Sequence, residues 1–176
     1  TNFGGIGDVG NIKIDTTGAV EITNASAISS TNFGQGKTGD ISLASDRITL
    51  NDGNIESQSR GATGGNIQLT TKDRLLLRNL GNIAANSGST EKNGNGGNIT
   101  INSPLIIALP GDNNIAADAI NGNGGKVNIT SQGLFGIKYR PKGQDSLFTS
   151  DITSSSTFGQ SGTVNISTPG TDPGKD

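Results

Sequence analysis

The chain of 176 residues contains no cysteine, histidine, methionine or tryptophan, and its aromatic residues are five Phe and one Tyr. Without cysteine there is no disulfide framework and no thiolate metal site. Without histidine the commonest general base and metal ligand is missing. The longest apolar run, Leu105 to Leu109, is far too short to span a membrane. We therefore expect no cofactor, no metal site and no membrane insertion.

The charged residues nearly balance, with 13 Lys and Arg against 15 Asp and Glu, which argues against a nucleic-acid partner. Ile, Leu, Val and Phe together make up 40 of the 176 residues. That share of about 23% lies just above the roughly 20% below which chains tend to stay disordered. The chain should therefore fold, around a narrow core.

One short pattern recurs six times: a glycine, a polar residue, then two aliphatic residues separated by one other residue. The glycines that open it are Gly10, Gly39, Gly65, Gly97, Gly125 and Gly162, at steps of 29, 26, 32, 28 and 37 residues. Self-similarity at a period of 20 to 50 residues is typical of repeat architectures. We read residues 1–167 as a single solenoid and the Pro- and Gly-rich residues 168–176 as a linker.

Apolar and polar residues alternate within each repeat, which is the signal of a strand with one buried face. Three such strands per repeat predict a parallel β-helix of about five to six rungs, each with three short strands. Its right-handed sense follows from the preference of parallel crossovers. The predicted inward residues of the first strands are Ile12, Ile41, Ile67, Ile99, Val127 and Val164. Those of the second strands are Val20/Ile22, Ile48/Leu50, Leu75/Leu77, Ile107/Leu109 and Phe135/Ile137, and those of the third are Ile28, Ile55, Ile83, Ile115 and Ile152.

Glycine and asparagine dominate the predicted corners. The pairs at 64–65, 96–97 and 124–125 are expected to supply positive φ where the chain enters the first strand. Two stacks of polar side chains are expected to hydrogen-bond along the axis. They are Asn11, Asp40, Asn66 and Asn98 after the opening glycine, and Asn24, Asn51 and Asn79 after the second strand.

The fifth repeat departs from the pattern, because its third strand arrives nine residues late. Residues 138–149 are therefore a loop insertion, and insertions in solenoids are often on the binding side. This loop holds the single Tyr and three basic residues, so the candidate ligand contacts are Lys138, Tyr139, Arg140 and Lys142. The alternative is a cap that packs Leu147 and Phe148 over the open end of the helix.

A catalytic pair of carboxyls is the main enzymatic hypothesis, because glycoside hydrolysis needs two of them facing each other. The best stacked pair is Asp46 and Asp73, just before the second strand of neighbouring turns. Each is followed by an Arg, which should lower the pKa of the carboxyl rather than raise it. We therefore predict that the chain is not an enzyme.

Several segments resemble a known family, the filamentous-haemagglutinin-like exoproteins of two-partner secretion in the form common among cyanobacteria. The segments are 28–41, 96–101, 133–137, 151–156 and 158–166, the last of them reading FGQSGTVNI. The resemblance implies a β-helical exoprotein that a partner transporter exports through the outer membrane and that is secreted or stays at the cell surface. The chain lacks the Asn-Pro-Asn-Gly motif of that family's secretion domain. It therefore resembles the later, shaft-like part of a longer protein.

The resulting hypothesis is a structural and adhesive repeat module of a secreted bacterial surface exoprotein. Its expected partners are a glycan or a protein on a host or neighbouring cell, and the transporter during export. The alternative is a carbohydrate-binding or polysaccharide-cleaving β-helix. A plain spacer that binds nothing is the third interpretation.

Overall fold

A computed structural model describes residues 1–34 and 36–169, and over these residues the chain consists of β-strands and connections without any helix. All thirteen strands belong to one sheet in which neighbours run parallel. The strands are β1 (Ile12–Asp15), β2 (Ala19–Asn32), β3 (Ile41–Ser59), β4 (Ile67–Arg78), β5 (Asn82–Ala84), β6 (Ile99–Asn102), β7 (Leu105–Ala108), β8 (Asn114–Ala116), β9 (Lys126–Thr130), β10 (Gly133–Phe135), β11 (Lys138–Tyr139), β12 (Asp151–Thr153) and β13 (Thr163–Ser167). Residues 170–176 of the predicted linker lie outside the described residues.

The sheet coils into a β-helix with three faces, as predicted. The first face stacks β1, the start of β3, the start of β4, β6, β9 and β13. The second face stacks the first half of β2, the middle of β3, the end of β4, β7 and β10. The third face stacks the second half of β2, the end of β3, β5, β8 and β12. The right-handed sense of the coil stays a prediction.

Ladders of aliphatic side chains fill the interior. The predicted first-face ladder is confirmed residue by residue, since Ile12, Ile41, Ile67, Ile99, Val127 and Val164 are successive register partners. The third-face ladder of Ile28, Ile55, Ile83, Ile115 and Ile152 is confirmed in the same way. Most of these side chains are fully buried, which is worth about 1.5–3 kcal/mol for each. No turn could bury them alone, so stacking stabilises the fold.

The second face corrects the predicted inward set at two turns. Ile106 and Ala108 point inward in β7, not Ile107 and Leu109. The next strand follows the same register, so Leu134 packs against the core while Phe135 is 60% exposed.

The cause of this shift is a connection between the first and second faces that is one residue shorter. Thr70 and Arg74 of one turn pair with Asn102 and Leu105 of the next. A slip of one residue moves a strand's side chains to the opposite face. Ile137 lies beyond β10 and is buried in the core as predicted.

The corner glycines are required by close approach of the backbone, not by positive φ. The glycines at 64–65, 96–97 and 124–125 are absent from the positions with positive φ, so that prediction is wrong. A Cβ added to Gly65, Gly97 or Gly125 would instead lie less than 3.0 Å from the carbonyl oxygen of the opening glycine one turn earlier. Any side chain here would push two turns apart.

This close approach predicts that Gly97→Ala destabilises the protein by about 1–3 kcal/mol, the usual cost of overpacking. Gly10→Ala is the matched control, because Gly10 opens the first repeat and an added Cβ there has no atom within 4 Å. Thermal unfolding followed by circular dichroism measures both variants. Equal melting temperatures for the two variants would contradict the explanation.

Candidate functional site

The polar stack at the first corner serves the backbone of the next turn. The Asn11 side-chain oxygen accepts from the Asp40 amide at 2.8 Å, and the Asp40 carboxylate accepts from the Asn66 amide at 2.7 Å. The Asn66 side-chain oxygen in turn accepts from the Asn98 amide at 3.1 Å and from the Asn98 side chain at 3.0 Å. The predicted axial hydrogen bonding is confirmed. The side-chain oxygens of Asn11, Asp40 and Asn66 are therefore used in bonds between successive turns.

The second predicted stack forms only in part. The Asn79 side chain donates to the Asn51 side-chain oxygen at 2.6 Å. Asn24 does not continue the stack, because Thr23 is the register partner of Asn51. Asn24 and Ala25 instead form a left-handed bend with φ near 57° and 56°.

Asp46 and Asp73 are held by ion pairs at the edge of the second face. Asp46 lies 3.0 Å from the Lys72 ammonium and accepts a hydrogen bond from the Gly18 amide at 2.8 Å. These two contacts, the Lys72 bond first, lower the pKa of the Asp46 carboxyl, with a minor contribution from Arg47. Asp73 pairs with Arg74 at 3.3 Å. The predicted direction for Asp46 is confirmed, and it is opposite to what a general acid needs.

The inserted loop folds back on the rod. β12 pairs with β8 along one edge and with β11 along the other, so Lys138 is opposite Asp151 and Tyr139 is opposite Ile152. The chain therefore runs past the end of the third face as β11, turns through residues 140–150, and returns as β12 one level lower. The sequence analysis treated residues 138–149 as a loop throughout and missed the strand at its start.

Asp151 anchors this loop through a buried carboxylate. One of its oxygens accepts from the Arg140 guanidinium. The other accepts from the Ser146 amide and from the Thr149 hydroxyl, each at 3.0 Å. Charge-assisted bonds of this kind are the stronger ones in proteins, so the loop has a defined conformation.

The four predicted contact residues are not brought together as one site. Tyr139 takes the next position on the isoleucine ladder and is 45% exposed, while the Arg140 side chain is engaged with Asp151. The Lys142 ammonium donates to the Thr157 carbonyl at 2.6 Å. Lys138 is exposed and shares a cavity of about 370 Å³ with Arg140 and Phe148.

The alternative cap, in which Leu147 and Phe148 pack over the open end, does not form. Leu147 is 79% exposed and Phe148 is 90% exposed. At the end of the third face, β11 pairs with β12 instead.

A groove on the outside of the third face is a feature that the sequence analysis missed. Ala84, Ala116 and Thr153 are successive register partners in one outward column. Ala116 and Thr153 of this column form the floor of the groove. This third-face groove has a volume of about 290 Å³, and its lining residues are Asn82, Asn86, Asp112, Asn114, Ala116, Asp118, Asp145, Ser146, Leu147, Asp151 and Thr153. The sequence feature that could have indicated this groove is the repeated segment Asn-Ile-Ala-Ala at 82–85 and 114–117. Each copy combines an inward Ile with a small outward residue.

Most carboxylates of the groove are engaged in bonds that build its walls. Asp118 accepts from the Thr153 hydroxyl at 2.8 Å and from the Ser155 amide and hydroxyl at 2.5 and 2.9 Å. Asp112 accepts from the Asn114 side chain at 2.6 Å. Asp145 lies at the exposed rim. The residues that the structure describes contain no group of three or more acidic side chains able to hold a metal ion.

Glu56 continues the floor column one turn below Ala84. Its side chain is half-buried, and this burial raises the pKa of the carboxyl above its ordinary value.

Within residues 1–34 and 36–169, no helix is long and apolar enough to cross a membrane.

Comparison with protein-family models, with curated proteins and with solved structures found no match. The fold and the geometry of the groove and loop are therefore the basis for a functional proposal.

The raised pKa of Glu56 predicts that Glu56→Gln increases the stability of the folded protein by an amount that depends on pH. Because the folded state favours the protonated carboxyl, ionisation reduces wild-type stability as the pH rises from the unfolded value of 4.5 through the folded pKa. At pH 7 the variant should be more stable than the wild type and melt at a higher temperature. The gain in unfolding free energy should be well under about 1 kcal/mol because the side chain is only partly buried. Near pH 4 the difference should vanish.

Glu21→Gln is the matched control for this prediction, because Glu21 is an exposed carboxyl on the second face. Thermal melts across the pH range compare both variants with the wild type. A Glu56→Gln difference that does not change with pH, or one that Glu21→Gln reproduces, would contradict the effect of burial.

Proposed function

We propose that this chain is a structural and adhesive segment of a secreted bacterial surface exoprotein, a rod that presents the third-face groove to a glycan. The observation that carries the proposal is the groove itself, built on an uninterrupted stack of turns. The stack supplies the support, and the groove supplies a concave surface lined by the third-face strands and by the loop that Asp151 anchors.

The rod-like role is supported by the way the turns pair. Six strands stack on the first face, which corresponds to an axial length of about 24 Å at 4.8 Å for each of five steps. Because each turn contacts only its neighbours, the architecture extends a protein without enlarging its core. The resemblance to surface exoproteins points to the same role.

The choice of a glycan follows from which groups the groove offers. The β5 and β8 strands beneath it pair on both sides, so their backbones have no free edge for an extended peptide. Ligands must therefore be recognised by side chains, here amides and carboxylates around Ala116 and Thr153. Hydroxyl groups of a sugar pair with these acceptors and donors. The volume lies just below the lower end of the ~300–1,000 Å³ of usual ligand sites, which suits one or two rings.

Binding rather than cleavage is favoured within the carbohydrate alternative. The Asp112, Asp118 and Asp151 carboxylates accept hydrogen bonds from their own chain. Asp46 and Asp73 are ion-paired on a different part of the surface. A polysaccharide-cleaving pair would require two opposed carboxyls, one of them able to give up a proton to the leaving group.

A glycan array screened with the purified chain tests the proposal. We expect binding to a neutral or amino-bearing glycan, and a loss of at least tenfold in affinity in the double variant Asp145→Ala/Leu147→Ala. Both side chains lie at the loop end of the groove, and Leu147 is largely exposed.

Phe158→Ala is the matched control, because Phe158 is a similarly exposed apolar residue away from the groove lining. It should bind as the wild type does. Absence of binding to every glycan would contradict the adhesive role, and binding that the double variant retains in full would remove the groove as its site.

A further inference from the structure

The outward side chains of the third face continue past the strands that form the third-face groove. They occupy alternate positions, which are Asn82, Ala84, Asn86 and Gly88 in one turn and Asn114, Ala116, Asp118 and Ile120 in the next. The two turns stay in register to this point, because Ser87 bridges Ala119. The outward row therefore extends one position beyond Asn86 and Asp118, where the lining of the groove ends.

Two further cavities follow the third-face groove along this row. The first has a volume of about 310 Å³ and shares Asn86 and Asp118 with the groove. The second has a volume of about 500 Å³, and the lining residues that it shares with the first are Gln58, Ser59, Gly88 and Ile120. Because each cavity shares part of its lining with the next, the three adjoin and cross the third face to its corner.

The second cavity is a gap in a column of side chains at that corner. On successive turns the column contains Phe33, Arg60, Gly88 and Ile120, each of them one residue after a register or bridge position. Gly88 has no side chain, and its φ of 91° favours glycine there. Arg60 and Ile120 are therefore two turns apart, about 9.6 Å. Non-bonded carbon atoms pack at about 3.5–4.0 Å, so this Gly88 notch admits one ring.

A guanidinium group that packs on an aromatic ring bounds the notch on one side. Arg60 lies over the Phe33 ring at 5.1 Å from its centroid, and Phe33 stacks on Phe3 with the ring centroids 5.6 Å apart. This cation–π contact restrains the position of the guanidinium. Among the described residues Arg60 is in no ion pair, so its N–H donors are available to a ligand.

Polar side chains surround the rest of the notch. Residues 89–92 form a turn that the backbones of Ser89 and Lys92 close with hydrogen bonds of 3.3 and 3.4 Å. The polar lining residues are Gln58, Ser59, Ser89, Thr90 and Glu91, and Ile120 supplies an apolar surface opposite Arg60. A pyranose ring has C–H groups on its faces and hydroxyl groups around its edge. Its faces therefore suit Ile120 and the guanidinium plane, and its hydroxyl groups suit the polar walls.

We propose that the Gly88 notch binds a further sugar ring of the glycan that occupies the third-face groove, so that the protein recognises an extended oligosaccharide. This inference rests on the proposed function, because it requires a glycan in the groove. Asn114 and Ile120 are separated by six residues of extended chain, about 20 Å, which exceeds the length of a disaccharide. Gln58, Asn86 and Ser155 line the connecting cavity and can pair with the hydroxyl groups of the intervening rings.

Isothermal titration calorimetry with cello-oligosaccharides and chito-oligosaccharides of two, four and six rings tests this extension. For the wild type we expect the affinity to rise at least tenfold between two rings and six. Arg60→Ala should lose this gain and leave the affinity for the two-ring ligand unchanged. Arg60→Lys should lose most of the gain as well, because an ammonium group keeps the charge but not the planar surface.

Arg47→Ala is the matched control, because Arg47 is an exposed arginine of the second face and lines none of the three cavities. This variant should keep the full gain with ligand length. The double variant Asp145→Ala/Leu147→Ala should instead weaken ligands of every length, because both side chains lie at the loop end of the groove.

The outcomes separate this inference from the proposed function. An affinity that does not change with length, or a gain that Arg60→Ala keeps or that Arg47→Ala also loses, would overturn the extension while two-ring binding still supports the groove. Loss of all binding in Arg60→Ala, with the double variant unaffected, would place the sugar in the notch alone and overturn a shared glycan. Absence of binding at every length would contradict both proposals.

Discussion

The fold depends on the close approach of successive turns. Each strand pairs with its equivalent one turn later, at the spacing of neighbouring strands in a sheet. The opening glycines of every repeat after the first leave no room for a Cβ, because the carbonyl oxygen of the preceding turn occupies that space. The same approach brings the asparagine side chains within reach of the next amide and the isoleucines into continuous ladders. The buried core, the corner glycines and the polar stacks therefore all depend on the spacing between neighbouring turns.

This constraint explains why so much of the fold could be predicted from sequence. A stacked position imposes the same requirement at every turn, so Ile12, Ile67 and Ile99 mark their strand by repetition. Prediction failed where a turn changes length by one residue. Ile107 and Phe135 were then assigned to the wrong side, because spacing counted from the glycine does not register the shorter connection.

The candidate site could be predicted only in part, for a related reason. The insertion was visible as extra length, but its strand β11 is too short to carry an alternating pattern. The groove depends on small residues beneath flanking amides on successive turns, a relation that becomes apparent once the register is known. Arg140 was expected to contact a ligand, whereas it anchors the loop through Asp151. The two irregular features, loop and groove, adjoin each other and distinguish this end of the rod from the rest.

The parallel register between turns is the central claim, and paired cysteines test it most directly because the chain has none of its own. Ser42 and Gln68 are register partners on the outside of the first face, about 4.8 Å apart between strands. Ser42→Cys/Gln68→Cys should form a disulfide under mild oxidation, detected by mass spectrometry. Ser42→Cys/Thr70→Cys is two residues out of register, roughly 8 Å apart, beyond the reach of a disulfide. A crosslink in the second pair and none in the first would contradict the stacked fold.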